Sequence, residues 1–250
     1  MKALVTGASG GIGRDIALIL SRMGYDLILV SRNTSKLEQV KKHMKTKVQI
    51  ISADLSVEEE CFALYEAVRG QDIHILVNNA GFGAFGYFWE MPLERELNML
   101  NLNVRAVHIL TKLFLQDFRK RDSGYILNVS SAAGFLPGPF MAAYYATKNY
   151  VLRLTEAIYE ELRREGSHVH ISALCPGPVD TGFNDRAGVR FALPGMPSFD
   201  VARCAVKGMF AKKVVIIPGI AMKLAYLGGK FLSEEALLRA AYSFQHKKKG

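Results

Sequence analysis

The sequence predicts an α/β fold, a doubly wound parallel sheet of about seven strands with helices on both faces. Three observations carry this expectation. Nearly continuous apolar runs of strand length alternate with amphipathic helical stretches from end to end, the pattern of buried parallel strands and their covering helices. The first of these runs ends directly in a glycine-rich turn, Thr6-Gly7-Ala8-Ser9-Gly10-Gly11-Ile12-Gly13. No linker, repeat or low-complexity block divides the 250 residues apart from Lys247-Lys248-Lys249, so residues 1–250 are expected to form one domain.

Residues 2–6 form the first strand. Ile12, Ile16, Ile19, Leu20 and Met23 then recur at helical spacing, and Gly24 stands where a C-cap belongs. Residues 26–31 form a second buried strand, 36–44 a polar helix and 47–51 a third strand. Ser56 is placed as a helix cap, with Glu59 as its capping-box partner. Residues 73–77 make the fourth strand, closed by Asn78-Asn79-Ala80-Gly81. Two helical stretches, about 90–99 and 102–120, precede the fifth strand at 124–130. A long helix at 141–165 and a sixth strand at 168–174 follow. A Gly/Pro-rich loop, about 176–200, leads to a helix near 200–212 and a seventh strand at 214–217. The remaining residues form a helical extension at about 220–246. In such a sheet the ligand crevice lies at the carboxyl ends of the strands, where the polar motifs after strands one, four, five and six fall.

Composition narrows the function. The net charge of +9 is spread along the chain rather than gathered on one aromatic-lined stripe, which argues against nucleic acid and fits an anionic small ligand. Cys61, Cys175 and Cys204 are odd in number and lack ligand spacing. They argue against a disulfide framework and a zinc site, and are expected as small buried hydrophobes in a reducing compartment. No signal peptide is visible and no apolar run is long enough for a membrane helix, so a cytoplasmic location is expected. The histidines show no ligand or triad spacing, and His168 and His170 are placed in the sixth strand.

The chemistry lies in a few side chains. Glycines at 7, 11 and 13 let a pyrophosphate approach the backbone at a helix N-terminus. Tyr144 and Lys148 are spaced i, i+4 and share one helix face, where an ammonium beside a phenol favours the phenolate. Tyr145 adjoins Tyr144 but has no lysine at i+4. A phosphate-binding turn and a tuned tyrosine together point to hydride transfer with a nicotinamide cofactor. The end of strand two carries Ser31-Arg32-Asn33 and no acid, which favours a 2′-phosphate and hence NADP(H), with Arg14 as a further source of charge. Adjacent strand residues face opposite ways, so only one of Ser130 and Ser131 can point into the site.

On these residues the chain resembles the short-chain dehydrogenase/reductase family over nearly its whole length, with a Rossmann fold implied. TGASGGIG is similar to that family's cofactor turn, Asn78-Asn79-Ala80-Gly81 to its NNAG motif and Tyr144-Tyr145-Ala146-Thr147-Lys148 to its YxxxK motif. Leu102-Asn103-Val104 resembles the segment of its catalytic asparagine, which favours Asn103 over Asn101. The family's serine-to-tyrosine separation favours Ser131, and Pro176-Gly177 with Thr181 resembles its nicotinamide-side loop. The resemblance implies catalytic roles for four residues. Tyr144 is the acid/base, Lys148 lowers its pKa and holds the nicotinamide ribose, Ser131 orients the carbonyl oxygen and Asn103 completes a proton relay. Cofactor contacts are implied at Gly7, Ser9, Gly11, Ile12, Gly13, Ser31, Arg32, Asp54, Leu55, Asn79, Ala80, Gly81, Tyr144, Lys148, Pro176, Gly177, Val179 and Thr181.

An apolar or bulky ketone or alcohol is the expected substrate, such as a steroid, an oxoacyl compound or a xenobiotic carbonyl. Many of Phe82, Phe85, Phe88, Trp89, Phe135, Leu136, Phe140, Phe183, Phe191, Leu193 and Met196 are expected to rim the nicotinamide end, while others pack the core. The loop after Pro176 is expected to act as a lid. Met222, Leu224, Leu227, Phe231, Leu237, Leu238 and Phe244 leave three readings of the extension, ranked as a cover over the cleft, a subunit contact and last a membrane-surface contact. The family commonly pairs its two long helices, so a homo-oligomer, dimer or tetramer, is implied. The rival function is a non-catalytic NADP-binding regulator.

Overall fold

A computed structural model describes residues 1–183, 188, 195–229 and 231–246. Phe191, Leu193, the Phe244 side chain and Lys247-Lys248-Lys249 lie outside that description. Strands β1 (Lys2–Thr6), β2 (Asp26–Val30), β3 (Val48–Ile51), β4 (Ile73–Asn78), β5 (Tyr125–Val129) and β6 (His170–Leu174) alternate with helices. Together with β9 (Val215–Ile216) they build a seven-stranded sheet in the order β3-β2-β1-β4-β5-β6-β9. Every pairing is parallel, and the central strands β1, β2, β4, β5 and β6 are buried on both faces. That burial is why these strands are rich in Val, Leu and Ile.

Helices α1 (Gly11–Arg22) and α7 (Ser198–Phe210) cover one face, burying Ile16, Leu20, Val201 and Met209. On the other face α3 (Glu58–Val68) and α5 (Ala106–Lys120) bury Leu64, Leu110, Phe114 and Phe118. The order of strands reverses between β1 and β4, and a crevice opens there at the carboxyl edge.

Several expectations change in detail. The helical stretches around residue 100 are one rod: α4 (Leu93–Leu100) runs through a π turn, Asn101–Arg105, straight into α5. Ser56 does not cap α3. Val57 holds the N-cap position, and the Ser56 hydroxyl donates instead to Asp54 Oδ1 at 2.7 Å. An Asx-type bond of this kind offers the short polar side chain a closer partner than the helix end. His168 precedes β6, and its Nδ1 lies 2.6 Å from Asp122 Oδ2. The Gly/Pro-rich loop contains a small parallel pair, β7 (Val179–Asp180) with β8 (Met196–Pro197). Cys61 and Cys175 are buried as expected, and Cys204 is half-buried against the core. No helix of the described residues is long and apolar enough to cross a membrane.

Candidate active site

The crevice is a cavity of about 1180 Å³ running from the end of β2, past the turn after β1, to the long helix α6 (Ala142–Arg164). At the glycine turn, Gly7 and Gly11 take left-handed φ values of +64° and +53°, a conformation that costs a side-chain-bearing residue energy. A Cβ on Gly7 would stand 2.9 Å from the Ala80 backbone, and one on Gly13 would stand 2.3 Å from Asn79 Nδ2. The turn is closed from the next strand. Asn79 Nδ2 donates to the carbonyls of Thr6 at 3.0 Å and Gly7 at 3.2 Å, while Thr6 Oγ1 accepts from the backbone N–H groups of Asn79 and Ala80. A bare backbone concavity at a helix N-terminus results, the shape a pyrophosphate requires.

At the β2 end the cavity is lined by Ser9, Ser31, Arg32, Asn33, Lys36, Asp54 and Leu55. Ser31 donates to Ser9 across the turn at 3.0 Å. Arg32 is largely exposed and reaches Asp54 Oδ2 at 3.3 Å. Burial pushes the Asp54 carboxyl up, but hydrogen bonds from Ser56 and Arg32 outweigh it and hold the group below its ordinary range. Arg14 adds no charge here: its guanidinium turns to Asp15 at 2.7 Å and lies outside the lining. Lys36 and Asn33 were not among the site residues the sequence pointed to. Their signal was the start of α2 (Thr34–Lys41), where Asn33 Oδ1 accepts from the Lys36 N–H and sets both side chains at the sheet edge. The glycine cradle fits a dinucleotide, and the β2 end adds the cations Arg32 and Lys36, with the Asp54 carboxylate from beyond β3 paired to Arg32.

The reacting end is built by β5, the short helix Ala132–Phe135 and α6. Ser130 and Ser131 follow directly on β5 and both line the cavity, against the expectation that only one would, but their hydroxyls take different partners. Ser130 Oγ donates to the Lys148 carbonyl at 2.7 Å, while Ser131 Oγ accepts from the Ala133 N–H at 3.1 Å and stands toward Tyr144. Tyr144, Lys148 and Ser131 all line the cavity. Burial drives the Tyr144 phenol well above its usual pKa, with the Ser131 hydrogen bond pulling the other way. The expected lowering by Lys148 is absent from this arrangement. Burial pushes Lys148 itself down to about 8, its Nζ donates to the Val129 carbonyl at 2.9 Å, and it stands 5.9 Å from the Tyr144 ring centroid.

Asn103 is wholly buried behind the cavity wall rather than in it. Its Oδ1 accepts from the Phe82 N–H at 3.1 Å, and its Nδ2 donates to the Phe82 carbonyl at 2.8 Å and to Thr147 Oγ1 at 3.1 Å. One amide therefore ties the Gly81-Phe82 wall to the helix that carries Tyr144 and Lys148. The π turn supplies this reach, since its wider coil turns Asn103 inward. Gly13 also lies outside the lining and serves the packing under Asn79. Gly7, Gly11, Ile12, Asn79, Ala80, Gly81, Pro176, Gly177, Val179 and Thr181 all line the cavity.

Beyond Tyr144 the walls turn apolar, with Phe82, Leu136, Met141 and Phe183. Phe88 and Trp89 are exposed, and Phe140 packs outside the lining against Phe85 and Tyr87. The C-terminal helices α8 (Ile220–Gly229) and α9 (Glu234–His246) lie over this end, supplying Met222, Leu237 and Gln245. Covering the cleft was the first-ranked reading of the extension. Among the described residues no group of three or more His, Cys, Asp or Glu could hold a metal ion.

A parallel sheet with its crevice at the β1/β4 reversal, a glycine turn and a serine–tyrosine–lysine cluster define a nucleotide-dependent dehydrogenase. The chain belongs to the short-chain dehydrogenase family, whose model matches residues 1–189. It is an oxidoreductase of the CH–OH/C=O type. It is 35% identical over 187 residues to the very-long-chain 3-oxoacyl-CoA reductase of Homo sapiens, a match spanning 72% of this chain and 59% of that protein. Among solved structures it is similar to a short-chain dehydrogenase from Sphingobium yanoikuyae in complex with NADPH, with TM-score 0.83 and 30% identity over 95% of both chains. It is also similar to a short-chain dehydrogenase/reductase from Burkholderia phymatum in complex with NAD, with TM-score 0.82 and 27% identity over 90% of this chain and 91% of that one.

Proposed function

We propose that this chain is an NADP(H)-dependent oxidoreductase that interconverts a ketone and a secondary alcohol on an apolar or lipid-like substrate. The observation that carries the reading is the convergence of Ser131, Tyr144 and Lys148 in one cavity, between a glycine cradle and an apolar chamber. NADP(H) held there would supply or accept the hydride. The glycine turn, Ser31, Arg32 and Lys36 bind its phosphates, and Lys148 holds the ribose beside the reacting end. Ser131 orients the substrate oxygen, and Tyr144 gives it a proton in reduction and takes one in oxidation. Asn103 acts through Phe82 and Thr147 as a positioning residue. Support for the 2′-phosphate comes from Arg32 and Lys36 at a β2 end whose own residues, Ser31-Arg32-Asn33, include no acid, and from the similarity to an enzyme solved with NADPH. Support for a lipid-like substrate comes from the apolar chamber and the similarity to a very-long-chain 3-oxoacyl-CoA reductase. Residues 1–250 act as one domain in the cytoplasm. The exposed Leu93, Leu97 and Leu100 on α4 suit a homo-oligomer.

The test is absorbance at the nicotinamide band with NADPH and then NADH against steroid, oxoacyl and aromatic ketones, with Tyr144→Phe alongside. NADPH is expected to outperform NADH by roughly tenfold, one charge-assisted pair with a phosphate being decisive. Tyr144→Phe is expected to lower kcat by roughly 10² to 10⁴. Equal or better turnover with NADH removes the NADP assignment. Cofactor binding without turnover of any ketone turns the reading to a regulator.

A further inference from the structure

The last helix brings a polar group to an otherwise apolar wall. Leu237, Ala241 and Gln245 are spaced four apart and share one face of α9 with Ala240, and all four line the cavity. Gln245 is the one polar side chain among them and is only 1% exposed. Its Nε2 donates to the Tyr145 hydroxyl. Its Oε1 is buried and has no hydrogen-bond partner among the described residues. An amide oxygen left in that state carries a desolvation cost that a ligand donor would recover.

The pair is held firmly. Gly138 lies flat on the Tyr145 ring, so closely that a Cβ there would come 2.1 Å from Cγ. The Tyr145 ring is edge-on to Tyr144, with centroids 6.1 Å apart, so the pair stands one ring beyond the proton-donating phenol. The helix carrying Gln245 is itself gripped by Phe140, whose ring lies 5.2 Å from Tyr242 and 6.0 Å from His246. Phe140 reaches these rings from a left-handed φ of +64°.

We propose that Gln245, oriented by Tyr145, is a specificity determinant that accepts a hydrogen bond from a hydroxyl or amide N–H of the substrate. That donor lies beyond the reacting carbon, across the apolar chamber. The ligand class is thus a ketone, or its alcohol, with an apolar body and a second polar group that can donate. This deepens the carbonyl oxidoreductase reading and rests on it for the identity of the reacting carbon.

The probes are methyl ketones of graded chain length in matched pairs, one member ending in a hydroxyl and the other in a methyl. Binding is measured by calorimetry on the full chain in dead-end complexes with NADP⁺, so no turnover is needed. At one chain length the wild type is expected to bind the hydroxyl member roughly tenfold more tightly. Gln245→Leu is expected to bring the ratio near one, and Tyr145→Phe, which keeps the ring against Gly138, to reduce it. Equal binding of the pair at every length by the wild type overturns the proposal, as does a preference that survives in both variants. Turnover of the same ketones with NADPH is followed separately. Selective binding without any reduction leaves the specificity pair standing and removes the oxidoreductase reading instead.

Discussion

At the glycine turn the cavity wall is backbone pinned by a neighbouring strand end: Gly7 and Gly13 press on the Asn79 side-chain amide and Gly7 on the Ala80 backbone, and β1 and β2 behind them are almost wholly buried. Over the substrate end the wall is a pair of helices resting on side chains. Helix α8 has no buried residue, and Ile220, Leu224 and Leu227 on it are exposed. It is held by contacts such as Tyr226 on Phe135, with centroids 4.3 Å apart, and Met222 over Gly177. The family model matches residues 1–189 and so takes in the first wall. The first wall leaves no room for an added carbon at Gly7 and Gly13, where the turn packs on Asn79 and Ala80. The other is assembled from replaceable side chains, as suits the part of an oxidoreductase that meets the variable reactant.

The sharpest way to break this comparison is one methyl group. Gly13→Ala sets a carbon 2.3 Å from Asn79 Nδ2 and 2.7 Å from the Gly7 carbonyl. It is expected to cost about 3 kcal/mol in thermal unfolding and to abolish measurable NADPH binding in a fluorescence titration. Gly10→Ala, with extended backbone and nothing within 4 Å of its added carbon, is expected to change stability by less than about 0.5 kcal/mol. Equal losses in the two variants would falsify the account of the first wall.

A second effect lies where the walls meet. Burial lowers Lys148 from an unfolded value near 10.5 to about 8, so between those pH values the folded chain binds fewer protons than the unfolded one. The charged lysine is a burden that is full below about pH 8 and fades as pH rises toward 10.5. Lys148→Met in the cofactor-free protein is therefore expected to raise stability at pH 7 by roughly 1–3 kcal/mol, with the gain shrinking toward pH 10. A uniform gain or a loss, read by chemical denaturation across that range, removes this interpretation.

The smallest effect tests the second wall. Tyr226→Ala deletes the contact with Phe135 and Tyr242→Ala those with Phe140 and His246, each contact worth about 1 kcal/mol. Hydrogen exchange in residues 220–246 is expected to quicken several-fold while NADPH affinity holds. Slower exchange, or loss of cofactor affinity, would show that the two walls are not separable.

The first wall was largely legible in the sequence because its constraints are local. Apolar runs gave the strands, and Gly7, Gly11 and Gly13 gave the turn, since only glycine meets positive φ and close backbone approach there. Tyr144 and Lys148 were legible from helical spacing. Ser131 needed strand alternation as well as resemblance, and Asn103 came from resemblance alone, because a π turn has no periodic signature. Lys36 and Gln245 were missed for another reason. Their places depend on how α2 and α9 dock, which is set by contacts between residues far apart in the chain. The Lys148 effect on Tyr144 was misjudged because spacing fixes a shared helix face but not the direction of an ammonium, which turned to the Val129 carbonyl.

The π turn at Asn101–Arg105 makes helix phase a functional quantity. It holds one residue more than an α-turn needs, and each residue advances a helix by roughly 100°. Removing a single residue there would restore an unbroken α-helix and leave every surviving hydrophobic side chain intact. It would also swing α4 by that angle relative to α5 and carry the Asn103 amide away from Phe82 and Thr147. The coupling between cavity wall and catalytic helix is thus stored in the count of residues along one rod, a frame that substitutions leave alone and one deletion erases.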